Sequence, residues 1–294
     1  MGTTTVGAIQ MACGADRAAN LERAENHVRA AADRGARIIL LQELFETPYF
    51  CQEENAAHFD LARPLGENPA VARLAEVARE LEIVLPVSFF ERAHQAHYNT
   101  VAVIDADGSM LGFYRKTHIP DGPGYAEKFY FNPGDTGFRV WPTRHGTIGV
   151  GICWDQWFPE AARSMVLMGA EILLYPTAIG SEPTAPAWDS KAHWQICMRG
   201  HAAANMVPVV AANRIGREAY GKTDIHFYGS SFIAGHFGEV LAEADRSTET
   251  IITTSLDLER IRRDRRSWGL FRDRRPSCYR PLLTADGSHR IDLD

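Results

Sequence analysis

Cys153 stands at an unusual place for a thiol. In GVGICWDQWFPEAARSMVLMGAEILLYP (residues 149–176) it follows the apolar run Ile148, Val150 and Ile152. Just beyond it, Pro159 opens a predicted helix, where its missing N–H is not needed. A strand-to-helix step places the sulfur near a helix N-terminus, whose partial positive charge favours thiolate. The arrangement follows the logic of a nucleophile elbow without the G-x-S-x-G sequence. Taken alone, a cysteine in such a run is more often a small buried hydrophobe.

A nucleophile needs a base. None of the eleven histidines stands out: His193 and His201 lie eight apart on a predicted helix, and His94 and His97 sit in a polar loop. Zinc-type H-E-x-x-H spacing and the glycine-rich phosphate loops are missing, so no metal and no cofactor are expected. Glu43 follows the apolar run IILLQ and therefore ends a predicted buried strand, at the edge where open α/β sheets build ligand sites. Lys116 ends the predicted strand LGFYRK. A solvated loop acid and an edge-strand lysine are the ordinary explanations for these two. Three reactive types at three strand ends invite a site, but spacing alone does not show that the ends converge.

The elements that must position them alternate along the chain. Residues 4–10 read as a first strand. Leu21, Ala24, Val28, Ala31 and Ala32 mark one face of a helix that stops at Gly35. ARIILLQE then reads as a strand buried on both faces. Pro69 opens a helix bearing Leu74, Val77, Ala78 and Leu81, followed by the strand IVLPVSFF. A hairpin turns at residues 105–108. The strand TIGVGIC, a helix over 159–169 and the strand ILLYP repeat the unit. A helix over 189–204, the strand VPVVAAN, a hairpin within residues 227–244 and the strand TIITTSL complete the set. This pattern predicts mixed sheets covered by helices, not a purely parallel barrel.

Of 294 residues, 45% are apolar and 23% charged, enough to bury a large core without staples. A net charge of −6 argues against a nucleic-acid partner. Five scattered cysteines without a C-x-x-C pair suit a reduced, cytoplasmic chain. No signal-peptide pattern and no membrane-length apolar run is present, so no membrane association is expected. The chain reads as one domain over 1–294, with a core at about 4–257 and a C-terminal extension at about 258–294.

LLQELFETPYF, YRKTHIPDGPGYAEKFYFNPGDTGF and GICWDQWFPEAARSMVLMGAEILLYPTAIGSEP resemble the carbon–nitrogen hydrolase (nitrilase) superfamily, and the likeness runs through nearly the whole chain. The resemblance implies an α/β, four-layer α-β-β-α sandwich with a C-terminal extension used in oligomerisation, and a homo-oligomer of two or more copies. It implies a Glu–Lys–Cys triad at Glu43, Lys116 and Cys153, with a second glutamate, Glu127, beside it. It also implies that Asp155 is a structural hydrogen-bonding residue.

HIPDGPGY, CWDQWFPEAAR and PTAIGSEP are similar to a narrower branch acting on a small cationic ureido substrate, an N-carbamoyl diamine used in polyamine synthesis. Carbamoyl amino acids end in a carboxylate, which calls for an arginine fork. In a related branch, arginines follow the aspartate of the nucleophile motif; here Gln156 and Trp157 follow Asp155. An ammonium end wants carboxylates and aromatic faces instead. Asp121 and Glu182 are the expected partners of that charge, and Tyr49 and Trp154 the expected lining of the methylene tunnel. The alternatives are a carbamoylase or ω-amidase on an acidic substrate, and a non-catalytic scaffold. The arginine-rich stretch ERIRRDRRSWGLFRDRRP, interrupted by Asp264 and Asp273, is expected to be a solvated helix and an ion-paired contact with a second copy.

Overall fold

Alternation along the first strand already divides the interior in two. In β1 (Thr3–Gln10), Val6 and Ala8 point to one side and Ile9 to the other, and all three are fully buried. Such a strand needs cover on both faces, and the computed structural model, which describes residues 2–221 and 223–288, supplies it.

The chain continues through α1 (Arg17–Asp33), β2 (Ile38–Leu40), α2 (Pro69–Leu81), β3 (Leu85–Ala93), β4 (Ala96–Ile104), β5 (Met110–Arg115) and α3 (Glu127–Tyr130). Then come β6 (Val140–Thr143), β7 (Gly146–Val150), α4 (Pro159–Leu167), β8 (Ile172–Pro176), α5 (Lys191–Asn205) and β9 (Val209–Ala212). The hairpin β10 (Ile215–Tyr220) and β11 (Thr223–Tyr228) follows, then β12 (Phe232–Ala234), β13 (Val240–Glu243), β14 (Thr250–Asp257) and α6 (Leu258–Trp268).

One layer of strands is ordered β14-β1-β2 and continues into β3-β4-β5. The joint is made by Ile39 N–H donating to Val84 O (3.0 Å) and Val84 N–H to Arg37 O (2.8 Å). The second layer is ordered β13-β12-β9-β8-β7-β6, with β7, β8 and β9 parallel. Val6, Ala8, Leu40, Val101 and Tyr114 from the first layer meet Ile148, Val150, Leu174 and Val210 from the second. The opposite faces are covered by helices: Val28, Ala31, Leu74 and Val77 of α1 and α2 on one side. Met165, Trp194, Met198 and Ala202 of α4 and α5 cover the other. The stack is helices, sheet, sheet, helices.

Three readings from sequence change. The β2 strand is only three residues long, so Leu41–Glu43 leave the sheet. The β6–β7 and β10–β11 hairpins were not visible as such. The hairpin expected within residues 227–244 is β12–β13 alone, since Tyr228 already ends β11. Only residues 259–268 of the arginine-rich stretch lie in α6, capped by Asp257, whose side chain accepts from Arg260 N; left-handed Gly269 ends the helix, so residues 269–276 lie outside it. Its Leu258 and Ile261 close the core between the sheets. Several of its charges pair within the chain, Arg262 with Glu171 and Asp264 with His236. Residues 289–294 of the expected extension lie outside the described residues. Among the described residues no helix is long and apolar enough to cross a membrane.

Candidate active site

Because β2 stops at Leu40, Glu43 is free to turn off the sheet edge, and its side chain is fully buried. Lys116 follows β5 and Glu127 opens α3; both are also fully buried. Lys116 Nζ donates to Glu43 Oε1 (2.8 Å) and to Glu127 Oε2 (2.6 Å). Asn99 Nδ2 donates to the same Glu43 oxygen (2.7 Å), and Tyr49 OH to Glu127 Oε1 (2.6 Å). Glu43 Oε2 is buried without a hydrogen-bond partner among the described residues. Burial works against the lysine's charge, but Glu127 and then Glu43 outweigh it and hold the ammonium well above its ordinary range. Burial lifts Glu127 to about 7 against the pull of Lys116.

Cys153 starts a short 3-10 helix, Cys153–Trp157, with φ of +40°, a left-handed conformation rare for a residue with a Cβ. Such strain, of order 1–3 kcal/mol, persists where the surroundings over-determine the turn. Here Asp155 fixes it. Its Oδ2 accepts from Ile152 N (2.9 Å) and Tyr114 OH (2.8 Å). Its Oδ1 accepts from His118 N (3.0 Å) and lies 2.7 Å from His118 Nδ1. The turn that carries the thiol is thereby tied to the segment that carries Lys116.

The helix N-terminus does not make the thiol acidic, contrary to the expectation from sequence. Burial first, and the negative charge of Glu43 next, push the Cys153 thiol well above the ordinary cysteine range; Lys116 pulls the other way and loses. Five residues of 3-10 helix carry too small a dipole to overcome desolvation. The sulfur contacts Ala178 O at 3.7 Å.

A cavity of about 350 Å³ opens above the thiol. Cys153 and Glu127 lie in its lining; Lys116 and Glu43 are not lining residues but are joined to it by the Lys116 hydrogen bonds to Glu127 and Glu43. Asp121, Trp154 and Glu182 line it as the sequence led us to expect; Tyr49 does not. Tyr49 is fully buried, with its hydroxyl held by Glu127 and its ring against Tyr125 and Phe227. Its place is behind the carboxylate, not along the tunnel.

The walls above Trp154 are Trp157, Trp188 and His193, with Trp157 and His193 rings 4.7 Å apart. Burial raises Glu182 above the usual carboxylate range, opposed by the Ser190 hydroxyl. Gln156 is buried, its Oε1 accepting from Trp194 Nε1 (2.7 Å) and Thr177 Oγ1 (3.1 Å). No lysine or arginine is among the described lining residues.

Sequence reading missed Asn99, Trp188 and His193. Asn99 is placed by register: Thr100 pairs with Arg115, so the next residues along, Asn99 and Lys116, are neighbours. Trp188 and His193 carry no spacing signal; they meet through the path of residues 181–193.

A thiol in the lining of a cavity of about 350 Å³, a carboxylate with one oxygen unpartnered among the described residues and an ammonium clamped between two acids suit nucleophilic cleavage of a carbon–nitrogen bond. The chain matches the carbon–nitrogen hydrolase family over residues 5–266 and belongs to it, and it is an amidohydrolase. It is 58% identical to the N-carbamoylputrescine amidase of Arabidopsis thaliana over 287 residues, 96% of each chain. With the citrullinase of Francisella tularensis it shares 54% identity over 283 residues, 96% of this chain and 99% of that one. The carbon–nitrogen hydrolase crystal structure from Helicobacter pylori has the same fold, with a TM-score of 0.90 and 42% identity over 96% of this chain and 99% of that one.

Proposed function

We propose that this amidohydrolase converts N-carbamoylputrescine and water to putrescine, carbon dioxide and ammonia, a step of polyamine synthesis from arginine through agmatine. The observation that carries the reading is the cavity itself. A thiol closes one end, aromatic rings form the walls, Glu182 and Asp121 supply negative charge, and among the described residues no lysine or arginine lines it. That composition suits a ureido group, a methylene chain and an ammonium in sequence.

Glu43 Oε2, the oxygen with no partner among the described residues, takes the Cys153 proton as sulfur attacks the ureido carbon. A thiol this strongly desolvated favours proton transfer during attack over a standing thiolate. Negative charge then grows on the carbonyl oxygen, where the third N–H of Lys116 and the backbone N–H of Trp154 receive it. One such donor contributes about 3 kcal/mol to transition-state binding. Glu43 returns the proton to the first leaving nitrogen, that C–N bond breaks, and an S-carbamoyl group still bearing the other nitrogen remains on Cys153. Water, deprotonated by Glu43, attacks its carbonyl carbon; the C–S bond breaks, Glu43 gives the proton back to sulfur, and the carbamic acid released decomposes to carbon dioxide and the second amine. Glu127 keeps Lys116 aimed at the oxyanion.

The similarity to a citrullinase supports a second reading, a δ-ureido amino acid with a carboxylate beside the ammonium. Ammonia release from N-carbamoylputrescine, citrulline and N-carbamoyl-β-alanine, measured side by side with Cys153→Ala as blank, separates the readings. Preference for the diamine, lost in the variant, is the expected result. Preference for citrulline would overturn the substrate while keeping the thiol chemistry, and silence on all three would overturn both. The reduced cytoplasmic setting and the pairing of copies through the C-terminal extension belong to the same proposal.

A further inference from the structure

Directly after β9, a dipeptide sits between the two halves of the reaction centre. Arg214 is fully buried. Its Nη2 donates to the backbone oxygens of Glu43 (2.9 Å) and Leu44 (3.0 Å). Its Nη1 donates to Thr47 O (3.3 Å) and Glu218 Oε1 (2.9 Å). Glu218 in turn accepts from Tyr49 N with its other oxygen (2.5 Å). One guanidinium therefore fastens three carbonyls of a single short segment that begins at Glu43.

The neighbouring Asn213, also fully buried, holds the other half. Its Oδ1 accepts from Ile179 N (3.0 Å) and its Nδ2 donates to Ile179 O (2.9 Å) and Gly229 O (2.9 Å). Ile179 directly follows Ala178, whose carbonyl contacts the Cys153 sulfur.

A buried cation is a poor way to gain stability, because an apolar side chain of similar volume commonly does as well. Among the described residues, Arg214 even leaves its Nε without a partner. What it does supply is geometry. Leu44 is left-handed, with φ of +49°, so the backbone just after Glu43 would relax without an external clamp. Glu43 has one oxygen committed to Asn99 and Lys116, and the direction of the other follows from where its backbone stands.

We propose that Asn213 and Arg214 form a positioning pair for hydrolysis. Arg214 sets the place of the Glu43 carboxylate, Asn213 sets the strand end against which the Cys153 thiol rests, and together they fix the separation of base and nucleophile. The inference rests on the reading of Glu43 as the base.

The test is a mutant cycle on N-carbamoylputrescine hydrolysis, with near-UV circular dichroism and Tm reporting the fold. Arg214→Met is combined with Glu218→Gln so that no unpaired carboxylate is left buried. The folded double variant is expected to lose about 100-fold in kcat, as misplacement by about an ångström costs, with KM nearly unchanged. Arg214→Lys keeps the charge but lacks the fork and is expected to fall between. On a Glu43→Gln background the same substitutions are expected to change kcat by less than about 3-fold, since their effect passes through Glu43. A purely structural role would lower Tm and leave kcat of the folded enzyme at the wild-type value, and that result overturns the proposal. Full additivity with Glu43→Gln would overturn it too. Should the double variant fail to fold, Arg214→Lys and Asn213→Ala decide by the same split: a kcat loss of about 10-fold or more at unchanged KM supports the pair, and wild-type kcat overturns it. Wild-type kcat in Glu43→Gln alone would overturn the reading of the base and this inference with it.

Discussion

The floor and the mouth of the cavity are built on opposite principles. At the floor, Glu43, Lys116 and Glu127 are fully buried and joined by hydrogen bonds of 2.6–2.8 Å, with Asn99 and Tyr49 closing the ends. At the mouth, Asp121, Trp154 and Trp188 are exposed, and Glu182 is partly withdrawn from water. Charges in a dry, hydrogen-bonded network interact strongly and barely reorganise, which suits stabilising charge that develops during bond breaking. Charges at a wet mouth are screened and movable, which suits sorting substrates by charge. The contrast assigns kcat to the floor and KM to the mouth, and each substitution below asks whether that division holds.

The largest effect is expected from Lys116→Met. It removes the proposed oxyanion donor and leaves two buried carboxylates without their shared cation. A loss of at least about 10³-fold in kcat is expected, with a stability loss of about 3–5 kcal/mol in denaturant titration. A variant that kept its activity would show that the ammonium is only structural.

Next is the pH dependence of the floor. Burial raises Glu127 from 4.5 in the unfolded chain to about 7 in the fold, so the folded state holds this proton more tightly. Its contribution to stability is full below pH 4.5 and is lost as pH rises through about 7, a change of order 3 kcal/mol. Glu127→Gln cannot ionise, so the difference in stability between variant and wild type should move in the variant's favour across pH 4.5–7. A difference that stays flat over this window would mean that Glu127 is fully charged well below neutrality.

These expectations also mark how far the sequence could be read. Glu43, Lys116 and Cys153 were legible as reactive types near strand ends, because apolar runs mark strands to within a few residues, although β2 stops at Leu40, three residues before Glu43. Their convergence came only from the family resemblance, since it depends on how β2, β5 and β7 stack in two layers. The acidity of Cys153 was misjudged because local sequence shows a helix start but not how much solvent is excluded. Tyr49 was placed along the tunnel for its type, whereas its depth is set by Phe227 and Tyr125 from distant segments. Asn99 and Arg214 were invisible because strand register and long-range contacts to backbone carbonyls give them their roles.

At the mouth the expected effects shrink and move from kcat to KM. Glu182→Gln removes a charge that burial has partly desolvated. A charge-assisted contact of about 1.5–3 kcal/mol corresponds to a rise of about 10- to 100-fold in KM for N-carbamoylputrescine, with kcat nearly unchanged. N-butylurea, a neutral analogue of similar length, should bind the variant and the wild type alike. A kcat loss equal to that at the floor would erase the proposed division.

The smallest effect, and the sharpest test of the comparison, belongs to Asp121→Asn. Asp121 lines the same cavity and carries the same charge as Glu182, but it is exposed to water. Water and salt screen an exposed charge so that a contact there contributes about 0.2–1 kcal/mol, or about 1.4- to 5-fold in KM. The effect should fade further as salt is raised from 0.05 to 0.5 M, roughly the range over which the Debye length falls from above to below 10 Å. For Glu182 the salt dependence should be weaker, because partial burial screens it less. An Asp121→Asn effect as large as that of Glu182→Gln would mean that the substrate, on entering, drives water from Asp121 as well. The boundary between dry and wet would then be drawn by the bound diamine and not by the fold.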